Sequence, residues 1–152
     1  MKRYVAAFAA ISTLTAGAAL AQDFKGHIEA REGVMRVLAI NLGTLGGMAK
    51  GEVDYDAEAA GIAADSIVAA SMIHLGPLFP EGSGEGDMPD TAAKAEIWND
   101  WDDFASKWEA LGTAAVAMQT AAAEGAEAIG PAMGKLGGAC KGCHDTYRAS
   151  NN

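Results

Sequence analysis

Apolar residues of this chain recur at helical spacing in four separate stretches. From Ile28 to Ala49, one heptad row is Ile28, Met35, Leu42 and Ala49, and its companion is Arg31, Leu38 and Leu45. A strip of that width faces a partner helix. After Gly51 and Val53, Asp54-Tyr55-Asp56 reads as a turn with Asp56 as N-cap. It opens a second helix through Ala59, Ala63, Ile67 and Ala70 that ends near His74 to Gly76, before Pro77. The stretch from Pro77 to Pro89, broken by Pro80, Gly82, Gly84 and Gly86, is the longest predicted loop, ordered around something rather than free. A third helix spans about Thr91 to Glu124, with Trp101, Trp108 and Ala115 on one row and Phe104, Leu111 and Met118 on the other, and its aromatics read as core. Gly125 and Gly130-Pro131 mark a break, with Pro131 suited to the first turn of a fourth helix. That helix carries Met133, Cys140 and Tyr147 on one row and Leu136 and Cys143 on the other, so both cysteines point inward. No Val and Ile run of period two argues for strands. The pattern predicts an all-α fold, an antiparallel up-and-down four-helix bundle.

The N-terminal stretch changes the picture of where the chain works. Met1, Lys2 and Arg3 precede a short apolar run and the small-residue end Ala19-Leu20-Ala21, the pattern of a signal peptide (1-21) cleaved after Ala21. One domain, 22-152, remains. The apolar run is too short for a membrane span, and nothing later supplies one, so no membrane insertion is expected. Loss of Lys2 and Arg3, with no acid in the segment, takes the formal net charge from -9 to -11. Such a surface repels nucleic acid and anionic membrane, and suits small or basic partners.

Two cysteines in an exported chain would ordinarily pair. Here they lie in Cys140-Lys141-Gly142-Cys143-His144, the attachment signature of a c-type haem. On a helix, thiols at i and i+3 project from neighbouring places on one face and can each bond one vinyl group. His144, i+4 from Cys140, can turn its imidazole onto the iron. A redox dithiol would be expected beside a strand in a βαβ unit, which is missing here. Zinc would need four ligands, and only His27 and His74 remain to help with distant carboxylates.

The chain resembles the cytochrome c′ family of bacterial periplasms over essentially all of 22-152. The residues that carry the likeness are Arg31-Glu32-Gly33-Val34-Met35, Lys50-Gly51 followed by Tyr55-Asp56-Ala57, Glu96-Ile97-Trp98, and Cys140-Lys141-Gly142-Cys143-His144-Asp145-Thr146-Tyr147-Arg148. The resemblance implies one covalently attached haem c, five-coordinate and high-spin, with His144 as proximal ligand and Met35 covering the distal face. It further implies binding of the diatomic gases NO and CO with poor retention of oxygen, a homodimer formed through the first two helices, and a periplasmic location. Arg31 and Glu32 are implied at the haem edge, and Asp87 and Met88 of the loop are implied to close over it.

The residues themselves add to this. Arg31 occupies an apolar heptad row, where a guanidinium needs a reason to be; a haem propionate is one, and snorkelling to water is another. Arg148, i+4 from His144, is already explained by the helix dipole. Met35 divides the function. As a sixth ligand it would make a six-coordinate, low-spin electron carrier. As a lid it would yield to a gas, and the first helix offers no His, Tyr or Trp near it to donate a hydrogen bond, which disfavours oxygen and leaves an enzyme without a distal acid or base. The redox partner is not legible. Met48, Met72, Met118 and Met133 read as core or loop, and Asp100, Asp102 and Asp103 as a solvated face.

Overall fold

The computed structural model describes residues 15–150, with side chains from Phe24 onward. The start of the expected signal peptide, 1–14, lies outside the described residues. Four long helices carry the fold: α1 (Thr15–Ala49), α2 (Ala57–Ser71), α4 (Trp101–Glu124) and α5 (Ala126–Tyr147), with the single-turn α3 (Glu96–Asn99) before α4. Consecutive long helices pack side by side, and α5 returns against α1, closing an up-and-down bundle. Among the described residues there are no strands, only isolated bridges between Glu85 and Met88 and between Ala93 and Arg148.

Asp56 is the expected N-cap of α2, its carboxylate accepting from the Ala59 amide at 2.9 Å. That helix ends at Ser71, short of the expected His74, because the Met72 amide folds back on the carbonyls of Ala69 and Ala70. The third helix begins later than its apolar pattern suggested. Residues 91–95 are loop, and the chain breaks at Asp100 (φ -140°, ψ 71°), whose side chain accepts from the Asp103 amide at 3.1 Å and starts α4 afresh. Gly125, at φ 119°, makes the corner between α4 and α5, a conformation that favours glycine. Helix α5 therefore starts at Ala126, and Pro131 lies in its second turn rather than its first. Pro131 faces solvent there, where water can take the place of the amide it lacks.

The main core joins Leu38 and Leu45 of α1, Ile67 of α2, Leu111 and Met118 of α4 and Leu136 of α5. Each such residue, fully buried, contributes about 1.5–3 kcal/mol. Small residues let the helices come close. A Cβ on Gly46 would stand 3.6 Å from Met133 Cε, so α1 and α5 meet directly at that end. At the other end, a second cluster of Leu75, Phe79, Ile97, Phe104 and Tyr147 closes the bundle. Phe104 is its hub, edge-on to Phe79 at 5.0 Å and to Tyr147 at 5.2 Å.

Candidate functional site

Between the two clusters α1 and α5 separate around a cavity of about 520 Å³, within the range of sites that hold cofactors. Cys140, Cys143 and His144 of α5 border it on one side, and Arg31, Glu32 and Met35 of α1 on another. Leu111, Trp108 and Phe104 of α4 form much of the rest, so the lining is largely apolar. Helix register places the two sides against each other. Gly46 touches Met133 on antiparallel helices, and Met35 lies 11 residues before the first while His144 lies 11 residues after the second. Eleven residues make three turns, roughly 16 Å, returning each helix to the same face. Met35 and His144 are thus in register across the cavity.

The two sulfurs are not joined in a disulfide. Burial raises the Cys140 thiol above its ordinary value; burial first, and then the neighbouring Cys140, push Cys143 up to about 11. Both are neutral thiols at neutral pH. Partial burial and then Arg148 lower the His144 pKa against the pull of Asp145, favouring the neutral imidazole that binds metals. Although the chain is acidic overall, four of its eleven cations, Arg31, Arg36, Lys107 and Arg148, border this one cavity. Arg36 pairs with Glu32 at 3.0 Å and Lys107 with Asp103 at 3.3 Å. Arg31 is only 4% exposed and bonds to neutral oxygens of Leu78, Ser83 and Thr91.

The cavity thus gathers Cys140, Cys143, His144, Arg31, Glu32 and Met35, all expected from the sequence. Asp87 and Met88 stand apart from its lining, in a tight turn where both amides donate to the Gly84 carbonyl at 3.3 and 3.0 Å. His74 is exposed, and His27 packs edge-on to Phe24. Phe104 and Trp108 belong to the core, as expected, and also to the cavity wall. Tyr147, on the expected inward row of α5, also borders the cavity, whereas Phe79, Thr91 and Lys107 are wall residues that the sequence pattern did not single out. For Lys107 a signal existed: it follows Phe104 by three residues and precedes Leu111 by four, so it borders the inward face of α4.

These residues fit a haem: two thiols at helical spacing, an adjacent neutral imidazole, an apolar chamber and cations for two propionates. Comparison with known proteins points the same way. A family model described as cytochrome c′ matches residues 26–148. Cytochrome c-554 of Cereibacter sphaeroides is 44% identical over 149 residues, covering 96% of this chain and 97% of that one. A cytochrome c′ of the same organism is 41% identical over 131 residues, covering 86% and 88%. Among solved structures, a cytochrome c′ from Rhodobacter sphaeroides superposes with TM-score 0.81 at 39% identity, covering 84% of this chain and 98% of that one. A cytochrome c′ with an unusual ligand-controlled dimer dissociation gives 0.75 at 30%, covering 84% and 97%. A nitric oxide complex of a mutant cytochrome c prime from Alcaligenes xylosoxidans gives 0.73 at 26%, also covering 84% and 97%.

Proposed function

This chain belongs to the cytochrome c′ family and is a haem c protein, and from that premise we propose that it is a periplasmic binder of NO and CO with an open axial position. The haem supplies a redox-active iron that can take a diatomic gas on one face. Cys140 and Cys143 would hold the macrocycle by two thioethers, and His144 would give its imidazole nitrogen to the iron. Arg31 and Glu32, which border the cavity, would meet the propionates, with Asp87 and Met88 on the loop beyond. A cut after Ala21 releases the domain into the periplasm with α1 starting at Gln22; among the described residues no helix is long and apolar enough to cross a membrane.

The observation that carries the reading is the register of Met35 with His144 across an apolar chamber. Its aromatic donors are turned elsewhere: Trp108 Nε1 donates to the Ile73 carbonyl at 3.0 Å and the Tyr147 hydroxyl to Asp103 at 2.7 Å. Oxygen, which needs a donor, gains little there, whereas CO and NO lose little. One hydrogen bond of this kind is worth about 1–3 kcal/mol. The acid and the lysine on this wall, Glu32 and Lys107, are each held in an ion pair, with Arg36 and Asp103, which favours binding over catalysis. Met35 also supports a second reading, a low-spin electron carrier with its thioether as sixth ligand.

The exposed apolar residues Val37 and Ile40 on α1, Ile62 on α2 and Ile73 just past its end support a homodimer through that face. The test of the whole reading is the ferric optical and electron paramagnetic resonance spectrum of periplasmically matured protein, with CO titration of the ferrous form. A high-spin spectrum and ready CO binding are expected. A low-spin spectrum indifferent to CO would make Met35 a ligand.

A further inference from the structure

A continuous path of hydrogen bonds runs from Arg31 on α1 to the end of α5, separate from the packing of the helices. Arg31 Nη1 donates to Ser83 Oγ at 2.8 Å and to the Leu78 carbonyl at 3.4 Å. Its Nη2 donates to the Ser83 carbonyl at 2.5 Å and to Thr91 Oγ1 at 2.6 Å. The guanidinium also lies over the Phe79 ring, 4.7 Å from its centroid. Ser83 is fully buried, so this segment cannot lift away without leaving a buried hydroxyl and a buried charge unpaired. A planar fork is needed to span acceptors on Ser83 and Thr91 at once, which a lysine could not do.

The far end of the same segment is fastened to α5. The Lys94 amide donates to the Tyr147 carbonyl at 3.0 Å and the Ala149 amide to the Ala92 carbonyl at 2.8 Å. Lys94 Nζ adds a bond to the Thr146 carbonyl at 2.9 Å. Thr91 joins the two ends, because its Oγ1 also accepts from the Ala93 amide at 3.1 Å. Arg31 stands one helical turn before Met35, and Tyr147 three residues after His144. Where Gly46 meets Met133, α1 and α5 space each other by contact. Around Met35 and His144 the cavity replaces that contact.

The geometry points to Arg31 as a positioning residue: through Ser83, Thr91 and the bridge of Ala92–Lys94 to Tyr147–Ala149, it sets how closely Met35 approaches the iron held by His144. The inference rests on Met35 and His144 standing on opposite faces of the haem.

Ser83→Ala is the sharpest test, since Ser83 does not border the cavity and its hydroxyl accepts directly from Arg31 Nη1. Holoprotein with and without the substitution is compared by ferric spin state, ferrous CO affinity and thermal melting. CO affinity is expected to change by about threefold or more, with a shift in the ferric high-spin to low-spin ratio and the haem still covalently attached. An unchanged affinity and spectrum in a folded variant would overturn the positioning role and leave Arg31 as a fastening of the loop alone. The unsubstituted protein reports separately on the open-site reading. If it is low-spin and indifferent to CO, that reading falls, while the positioning role still requires a new high-spin signal in Ser83→Ala. Should Ser83→Ala not accumulate as folded protein, Thr91→Val removes the other side-chain acceptor and is judged by the same two readouts.

Discussion

Tyr147 donates its phenolic hydrogen to Asp103 Oδ2 across 2.7 Å, tying the last turn of α5 to the first turn of α4 just behind Cys143. The bond holds the Asp103 carboxyl below the usual aspartate range, helped by Lys107. Burial first, and then this bond, raise the Tyr147 phenol. The signs set the window. The depressed carboxyl stabilises the fold above the ordinary aspartate pKa of about 4 and loses that contribution as pH falls through its lowered value. The raised phenol stabilises it below the ordinary tyrosine pKa of about 10 and loses that as pH rises through its raised value. Tyr147→Phe is therefore expected to lower the melting temperature by about 2–4 °C between those limits. Melting curves against pH should show the gap between the two proteins closing at both extremes.

Met35→Ala removes the side chain that faces His144 across the cavity. With Met35 as a lid, CO no longer has to displace it, and ferrous CO affinity should rise about tenfold, roughly 1.4 kcal/mol. The ferric spectrum should stay high-spin. A conversion from low-spin to high-spin on the same substitution would instead identify the thioether as a ligand.

Gly84→Ala should be damaging although the residue is on a loop. A Cβ there would lie 2.7 Å from Trp98 Cζ3 and 3.1 Å from the Ala93 carbonyl. The indole cannot swing aside freely, because its Nε1 donates to the Phe79 carbonyl at 3.0 Å. The expected loss is about 1–3 kcal/mol, measurable by denaturant unfolding of the holoprotein.

How much of this was legible in the sequence follows the range of the interactions. Heptad rows placed Leu38, Ile67, Leu111 and Leu136 in the core, and the Cys140 to His144 spacing placed the attachment face, because both depend on residues within one or two turns. The break at Asp100 was hidden, since the apolar residues on either side of it continue a helical row and only the Asp103 amide reveals the cap. Arg31 was conspicuous as a charge on an apolar row. Its partners Ser83 and Thr91, however, lie 52 and 60 residues away, a distance over which composition carries no signal. Asp87 and Met88 depended on a loop whose path is set by those same long-range bonds, and they lie outside the cavity lining.

Cys143→Ala should leave a haem held by Cys140 alone. One saturated vinyl in place of two alters the macrocycle, so the reduced pyridine haemochrome should move to longer wavelength while the haem still migrates with the chain on a denaturing gel. Loss of all covalent haem in this variant, with full retention in Cys140→Ala, would mean that only the second thiol forms a bond.

Ile62→Glu tests the proposed dimer. Val34 and Val37 of α1 lie beside Ser66 and Ala69 of α2, and Ile73 just beyond its end, in a shallow groove, and around it Val37, Ile40 and Ile62 are 45%, 70% and 59% exposed. Scattered apolar residues are ordinary on a surface, but a run of them across two adjacent helices marks a contact face. In a two-fold dimer the same patch meets itself, so one substitution brings two carboxylates into an apolar contact at once. An exposed site of this kind leaves the fold itself within about 0.5 kcal/mol. Sedimentation should therefore show dimer for the unsubstituted protein and monomer for Ile62→Glu, with the absorption spectrum of the haem unaltered. A dimer that survives the substitution would move the interface to another face of the bundle.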